Sequence, residues 1–213
     1  EVALTPRLVP SYRGVRLQQP AAAFPQWLFF SPRFAPEVIV AHDARHPVCA
    51  QYESLLEQIL NPLEDRKARV VCFLGAIEQC GTTTTMLNLA LTAARKSDQP
   101  VTVLDANRRR PAIAQRIGLE ADQSASLWYQ ARKPANLRFV PWPERTRQSL
   151  ASLLETLRAD EGCVFLDGPS LIDVREDIAD LACDGLYIVS AVEKRETPAP
   201  QLGRAVDGWI IAQ

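Results

Sequence analysis

The sequence predicts an α/β fold in which a parallel β-sheet is flanked by helices on both faces, with a proline-rich extension before it. The main observation is that short apolar runs alternate with amphipathic segments of ten or more residues, which is typical of strands joined by helical crossovers. A second is that one apolar run leads directly into a glycine- and threonine-rich loop, and two later runs end in aspartate. Ligands of such sheets bind at the carboxyl ends of the strands, so these loops form the candidate site.

The first 45 residues are interpreted as an extension. They are rich in proline and lack periodicity, and proline interrupts helices. Residues 46–213 are interpreted as one globular domain. Within the extension, the apolar cluster at residues 24–30 is expected either to pack on the domain or to dock on a partner, because it is too apolar for a solvated linker.

Six strands and five helices are predicted along the domain. Helices are expected where apolar residues recur at helical spacing, and strands where short apolar runs suit a sheet buried on both faces. In chain order we expect a helix at 49–60, a strand at 70–74, a helix at 82–96, a strand at 101–104, a short helix after Pro111, a strand at 137–140, a helix at about 146–159, a strand at 163–166, a helix near 175–182, and strands at 186–189 and 209–212.

Composition excludes several classes of protein. A formal net charge of -1 gives no electrostatic reason to bind nucleic acid, and no apolar run approaches the ~20 residues needed to span a bilayer. The five cysteines are scattered, which predicts reduced thiols in a cytoplasmic protein. The chain does not begin with Met and shows no signal peptide, so we expect an N-terminus cut from a longer protein.

The loop at residues 75–84 has the frame of a phosphate-binding loop without its lysine. In the pattern G-x-x-x-x-G-K-[ST], Ala76 takes the first glycine position, Gly81 the second, Thr82 the lysine and Thr83 the metal-binding hydroxyl, with Thr84 following. Backbone amides at the helix start can still hold an anion. The lost lysine contact is worth about 1.5–3 kcal/mol, so ATP and Mg²⁺ are expected to bind weakly at most. The alternative is a plain strand-turn-helix with a threonine-rich cap.

Acidic residues follow two of the predicted strands. Asp105 comes directly after the strand at 101–104 and is followed by Asn107 and three arginines. Asp167 comes directly after the strand at 163–166 and precedes Gly-Pro. With Thr83 these aspartates would hold Mg²⁺ if nucleotide binds. The alternatives are a solvated turn for Asp105 and a helix-starting acid for Asp167. We predict that Thr83, Asp105 and Asp167 converge at one end of the sheet, with Gly81 at a helix N-terminus.

Together these motifs resemble the bacterial tyrosine kinase (BY-kinase) domains of polysaccharide export systems, which belong to the deviant-Walker P-loop ATPases. The resemblance runs from about residue 36 to residue 213. Residues 37–55 are similar to the pre-domain helix, residues 105–111 to the family's D-A-D-L-R-R-P, and residues 166–169 stand in place of its I-D-T-P-P. Residues 208–213 are similar to the last strand, G-x-V-x-N, which implies that Gln213 replaces an asparagine that contacts the base.

The departures from the family pattern all weaken nucleotide binding or catalysis. Thr82 replaces the lysine, residues 78–80 replace a P-G-E run and add the acid Glu78, and Asn107 replaces the aspartate that activates the attacking group. A neutral amide cannot accept a proton as a carboxylate does. The resemblance therefore implies that Asp105, Asn107 and Asp167 are vestigial catalytic positions.

From this resemblance we predict a catalytically inactive or impaired regulatory or scaffolding component of exopolysaccharide or capsule production. The implied partner is a membrane polysaccharide co-polymerase or another BY-kinase, reached from the cytoplasm at the inner face of the plasma membrane. A homo-oligomer is a further expectation, although Ala50, Glu53 and Leu56 stand where the family has its E-x-x-R-x-x-R oligomerisation motif.

Two other interpretations stay open. One is an active ATPase or tyrosine autokinase that takes its cation from elsewhere, such as Arg109 or a second subunit. The other is a partition-type or division-type ATPase, whose signature lysine would fall at Ile77.

Overall fold

The computed structural model describes residues 27–107, 109–119, 128–141, 149–174, 183–192, 202 and 205–212. In chain order its elements are β1 (Trp27–Phe30), α1 (Ile39–His42), α2 (Val48–Leu60), a 3-10 turn (Asn61–Leu63), β2 (Arg69–Gly75), α3 (Thr82–Lys96), β3 (Val101–Asp105), α4 (Ile113–Arg116), β4 (Trp128–Ala131), β5 (Leu137–Pro141), α5 (Leu150–Arg158), β6 (Cys163–Ser170), β7 (Gly185–Ala191) and β8 (Gly208–Ala212). The helix predicted near residues 175–182 and the start of the one predicted from residue 146 lie outside these ranges.

The strands form one eight-stranded sheet in the order β1-β4-β5-β3-β6-β2-β7-β8. All six predicted strands are present, and the predicted parallel sheet with helices on both faces is confirmed. One pair differs, because β4 and β5 run antiparallel. Only residues 132–136 join these strands, whereas a parallel connection needs about a dozen residues or more. A hairpin is therefore the only arrangement that this short connection allows.

Part of the predicted extension belongs to the sheet. β1 pairs in parallel with β4 at the sheet edge, and the Phe30 ring packs edge-on against Tyr129 and Phe139, at centroid distances of 5.6 and 5.8 Å. Val38 and Val40 are buried in the core. The expectation that the aromatic cluster packs on the domain is confirmed for Trp27 and Phe30, whereas Leu28 and Phe29 are exposed. β1 and α1 thus belong to a body that the sequence placed from residue 46 onward.

The core has two layers, one on each face of the sheet. Successive side chains of a strand point to opposite faces, so Phe73 packs with α3 residues such as Met86, while Leu74 packs with α5 residues such as Leu153. α3 is buried along most of its length because α1 and α2 cover its outer side. Within the described ranges, no helix combines the length and the apolar character needed to cross a membrane.

Candidate phosphate-loop site

The predicted convergence of Thr83, Asp105 and Asp167 is confirmed. β3 and β6 are neighbours in the sheet, and Asp105 and Asp167 are register partners on them. Thr83, in the first turn of α3, donates a hydrogen bond from Oγ1 to Asp167 Oδ2 at 2.7 Å. Gly81 is the N-cap of α3, as predicted. The three strands β3, β6 and β2 lie side by side in the sheet order, so their carboxyl ends bring these residues together.

Two glycines shape the backbone around the site. Gly81 has φ +92°, in the left-handed region that favours glycine, and its carbonyl accepts the first helical hydrogen bond from Thr85 N at 2.9 Å. Gly168 follows Asp167, and a Cβ there would come within 2.9 Å of Phe73 O. At this point β6 contains an extra residue relative to β2, since Phe73 pairs with Asp167 but Gly75 pairs with Ser170. The bulge allows the strand to continue past Asp167, so this acid lies within β6 and does not begin a helix.

A cavity of about 380 Å³ opens at this end of the sheet. Its lining comes from the loop after β2, the first turn of α3, the segment after β3 and the end of β6. The lining residues are Gly75, Ile77, Glu78, Gln79, Cys80, Gly81, Thr82, Thr83, Thr84, Asn107, Arg110, Ala112, Arg116, Asp167, Gly168, Ser170 and Asp173. Of the predicted cofactor-binding residues, Gly81, Thr82, Thr83 and Thr84 lie on the cavity. Ala76 is fully buried and is not among the lining residues, and its N–H donates to Val189 O at 2.7 Å.

Thr82, at the lysine position, makes its side-chain contact within the loop. Its Oγ1 lies 3.3 Å from Cys80 Sγ, and the buried Cys80 thiol in turn donates to Val189 O at 3.1 Å. Threonine is also too short to extend a charge along a bound phosphate chain. Position 82 therefore holds the loop together and supplies no cation of the kind that a phosphate-binding loop normally provides.

Three described arginines at or beside the cavity form ion pairs. Arg110 contacts Glu78 at 2.6 Å, Arg116 contacts Glu37 at 3.0 Å, and Arg109 pairs with Asp173. Glu78, which the sequence suggested as an added negative charge in the loop, is thus balanced by Arg110. Arg109, named above as a substitute cation, is not among the residues that line the main cavity, whereas Arg110 and Arg116 are.

Asp105 is held by backbone amides. Its Oδ1 accepts from Asn107 N at 3.2 Å and its Oδ2 from Ile113 N at 3.1 Å. Asp105 is 4% exposed, and burial raises the pKa of its carboxyl from 3.8 to about 6, although the amide hydrogen bonds act in the opposite direction. Both oxygens thus help to hold the turn that leads into α4, so Asp105 is not a solvated acid.

Asp167 has one oxygen without a partner. Oδ2 accepts from Thr83, but Oδ1 is buried and has no hydrogen-bond partner within the described part of the chain. Burial raises the pKa of this carboxyl well above its usual value, and the nearby Asp105 raises it further. A buried carboxylate oxygen without a donor is costly, so this atom is suited either to a proton or to a cation.

The residues around the cavity suit the magnesium ion of a magnesium-nucleotide complex better than they suit its phosphates. Thr83 and the free oxygen of Asp167 are oxygen ligands of the kind that Mg²⁺ prefers. Among the described residues there is no group of three or more His, Cys, Asp or Glu side chains arranged for a metal, so a cation here would take its other ligands from phosphate and water. The phosphate half has backbone donors at the start of α3 but no cation at position 82.

Asn107 and Gln213 complete the predicted set. Asn107 lies on the cavity, and its side-chain oxygen accepts from Arg110 N at 3.1 Å, which fixes the turn after β3. Gln213 lies outside the described residues. A Cβ built on Gly81 would lie 3.4 Å from Ala212 Cβ, so the end of β8 borders the loop. Sequence reasoning missed Ser170 and Asp173, whose side chains hydrogen-bond at 3.2 Å; their position just after Gly-Pro was the available signal.

Comparison with known proteins agrees with this architecture. The chain matches no protein-family model and no curated protein sequence. Among solved structures it is similar to the VpsO kinase domain, with 22% identity, a TM-score of 0.64, and coverage of 80% of this chain and 96% of that one. The kinase domain of Escherichia coli tyrosine kinase ETK gives 14% identity and a TM-score of 0.66, covering 82% and 78%. The BceF tyrosine kinase domain gives 16% and 0.60, covering 85% and 90%. The chain therefore has a BY-kinase-like P-loop fold.

Proposed function

We propose that this protein is a catalytically impaired BY-kinase-like P-loop protein that acts as a regulatory or scaffolding component of exopolysaccharide or capsule production. The observation that carries the proposal is that the site has some of the groups expected for nucleotide chemistry and lacks others. Thr83 and Asp167 remain in contact at 2.7 Å, while position 82 has no cation and position 107 carries an amide in place of a base. The chain thus keeps the shape of the site without the groups that perform phosphoryl transfer.

The proposed cellular setting rests on the resemblance of the motifs to BY-kinases and on the shared fold. We propose that the partner is a membrane polysaccharide co-polymerase or another BY-kinase, and that it recruits this chain to the inner face of the plasma membrane. A folded domain with an impaired site can regulate an active kinase by occupying its docking surface, which requires no turnover of nucleotide.

Calorimetric titration with magnesium-ATP tests the impaired site. No saturation is expected at micromolar concentrations, because the loop lacks a contact worth about 1.5–3 kcal/mol. A micromolar dissociation constant with measurable hydrolysis would overturn the proposal. The cellular role has a separate test, which is co-purification of the tagged chain with the co-polymerase and the BY-kinase encoded in the same genome. Association with neither would remove the polysaccharide role and leave the impaired site in place.

An active ATPase or autokinase is the second candidate. One observation favours it, namely that two arginines, Arg110 and Arg116, line the cavity even though the lysine is absent. ATP hydrolysis by the wild-type protein that disappears in Arg110→Ala would support this candidate over the first.

A further inference from the structure

The cavity contains an ion pair that joins the loop at residues 75–84, here called the phosphate loop, to the segment after β3. Glu78 lies in the loop and Arg110 lies after β3, and their side chains meet at 2.6 Å. Both residues line the main cavity. With Arg109 and Asp173 they also line a smaller cavity of about 250 Å³. A ligand bound in this cavity can therefore reach the ion pair.

The groups in the cavity define the class of ligand. The backbone donors at the start of α3 attract an anion. Asp167 is 1% exposed and its Oδ1 is unpartnered among the described residues, so this oxygen can bind a cation in place of a proton. A ligand that satisfies both groups carries a divalent cation on a phosphate chain, and magnesium-bound polyphosphates such as nucleotides are of this class.

We propose that Arg110 is the cation with which this cavity holds a phosphate-bearing ligand, and that Glu78 occupies Arg110 until such a ligand displaces it. The inference rests on the proposed function, since it concerns the same cavity. It assigns to Arg110 a binding role that compensates in part for the missing lysine at position 82, and to Glu78 the role of an internal competitor for Arg110.

Arg110 fits this role better than its neighbours. Arg109 pairs with Asp173 and is not among the residues lining the main cavity, and Arg116 pairs with Glu37, which belongs to the segment before α1. Of these three arginines, Arg110 is the one whose ionic partner lies inside the phosphate loop. The planar guanidinium also offers two parallel donors to a phosphate, a geometry that suits bidentate binding.

The ion pair is weak enough to be displaced. The two side chains are 60% and 44% exposed, and an exposed pair of this kind changes an equilibrium by no more than about fivefold. A charge-assisted contact from arginine to phosphate is worth about tenfold or more. Transfer of Arg110 from Glu78 to a phosphate is therefore favourable overall, and the competition from Glu78 lowers the apparent affinity.

A double-mutant cycle on the full 213-residue chain tests the proposal. Magnesium-ATP is titrated by NMR into the millimolar range against the wild type, Glu78→Gln, Arg110→Ala and the double variant. Glu78→Gln should bind up to about fivefold more tightly than the wild type. Arg110→Ala should bind at least about twofold more weakly than the wild type, because the competition from Glu78 offsets part of the phosphate contact, and the double variant should bind at least about tenfold more weakly than Glu78→Gln. In the Arg110→Ala background, Glu78→Gln should change affinity by less than about twofold, because the two residues act as one unit.

Lys67 and Glu161 provide matched controls. They form an exposed ion pair of 3.2 Å where β2 and β6 begin, at the other end of the sheet. Lys67→Ala and Glu161→Gln make the same changes in charge and should leave affinity unchanged. Arg110→Lys keeps the charge without the fork and should retain part of the affinity, and ligand-free spectra establish that each variant is folded.

The outcomes separate this inference from the proposed function. Equal tightening by Glu78→Gln in both backgrounds would mean that Glu78 acts by repulsion alone, and would overturn the inference. Absence of binding by Glu78→Gln in the millimolar range would also overturn it and leave the impaired-site proposal intact. Micromolar binding by the wild type would count against the impaired site, and the cycle would still decide the role of Arg110.

Discussion

Replacing Asp105 with asparagine should remove the pH dependence that this residue gives to the free energy of unfolding. Burial raises the Asp105 pKa from 3.8 to about 6. A rise of this size corresponds to about 3 kcal/mol of preference for the neutral form in the folded state. At neutral pH the ionised carboxylate therefore lowers the free energy of unfolding, relative to a neutral group in the same place.

The sign follows from proton binding. The folded pKa lies above the unfolded one, so the folded state binds more protons between about pH 4 and pH 6. The stability that comes from the neutral carboxyl is complete below about pH 4 and is lost as pH rises through about 6. Asparagine stays neutral throughout this interval, so the variant lacks this part of the pH dependence. Removing the Asp105 charge also removes one cause of the raised pKa of Asp167, which lessens the slope further.

The net magnitude includes the loss of a hydrogen bond. Asp105 accepts from two backbone amides, one on each oxygen, whereas asparagine has a single acceptor oxygen. The lost bond costs about 1–2 kcal/mol. The variant should therefore be less stable than the wild type by about 1–2 kcal/mol near pH 4 and more stable by about 1–2 kcal/mol near pH 8.

Urea denaturation at about pH 4, 6 and 8, in buffer with chelator so that no divalent cation contributes, measures these differences. Asp98→Asn is the control, because Asp98 is an exposed aspartate before β3 and the change in charge is the same. A constant loss of stability in Asp105→Asn at every pH would refute the reasoning. It would show that the carboxylate stays ionised in the folded state and acts only as a hydrogen-bond acceptor.

Three further predictions concern the loop and the domain boundary. A variant with Thr82→Lys, Glu78→Pro and Asn107→Asp should bind magnesium-ATP more tightly by about 2 kcal/mol or more in calorimetry, and no gain would show that the wild-type cavity already supplies the full contact of a lysine. Gly81→Ala should lower the free energy of unfolding by about 1–2 kcal/mol in urea, because its φ is +92°, and an unchanged midpoint would contradict the strain. Removing residues 1–45 should cost at least about 3 kcal/mol, because β1 and two buried valines are lost, whereas a truncated chain of full stability would support a boundary at residue 46.

The interior of the sheet was predictable because its strands are continuous apolar runs. Four central strands, β2, β3, β6 and β7, are buried on both faces. A strand of this kind is a continuous apolar run, which can be recognised in the sequence even when its predicted ends are wrong by a residue or two. The strands at the edge of the sheet were harder to predict. β1 has only four residues in a proline-rich segment, and β4 has four residues whose burial alternates. Their pairing depends on contacts between distant residues, such as the Trp27 and Trp128 rings at 4.9 Å, which no local pattern reveals.

The sequence predicted which residues come together at the site, but it did not predict which charged side chains pair with each other. Parallel strands carry the residues that follow them to the same end of the sheet, so the positions of Thr83, Asp105 and Asp167 followed from strand order. The pairing of Glu78 with Arg110 did not, because the two residues lie on loops after different strands and meet only through side-chain placement. Counting Glu78 as an uncompensated charge therefore overstated the negative charge of the loop.

The acidic residues contribute to the fold in ways that do not depend on nucleotide. Asp105 fixes the turn into α4 through two backbone amides, and Asp167 ties the first turn of α3 to β6 through Thr83. The loop after β2 folds with threonine at position 82, so the fold needs no charge there, whereas replacing either aspartate would remove hydrogen bonds that hold neighbouring elements together. Both aspartates are therefore needed by the fold whether or not nucleotide binds, so their presence alone is no measure of activity.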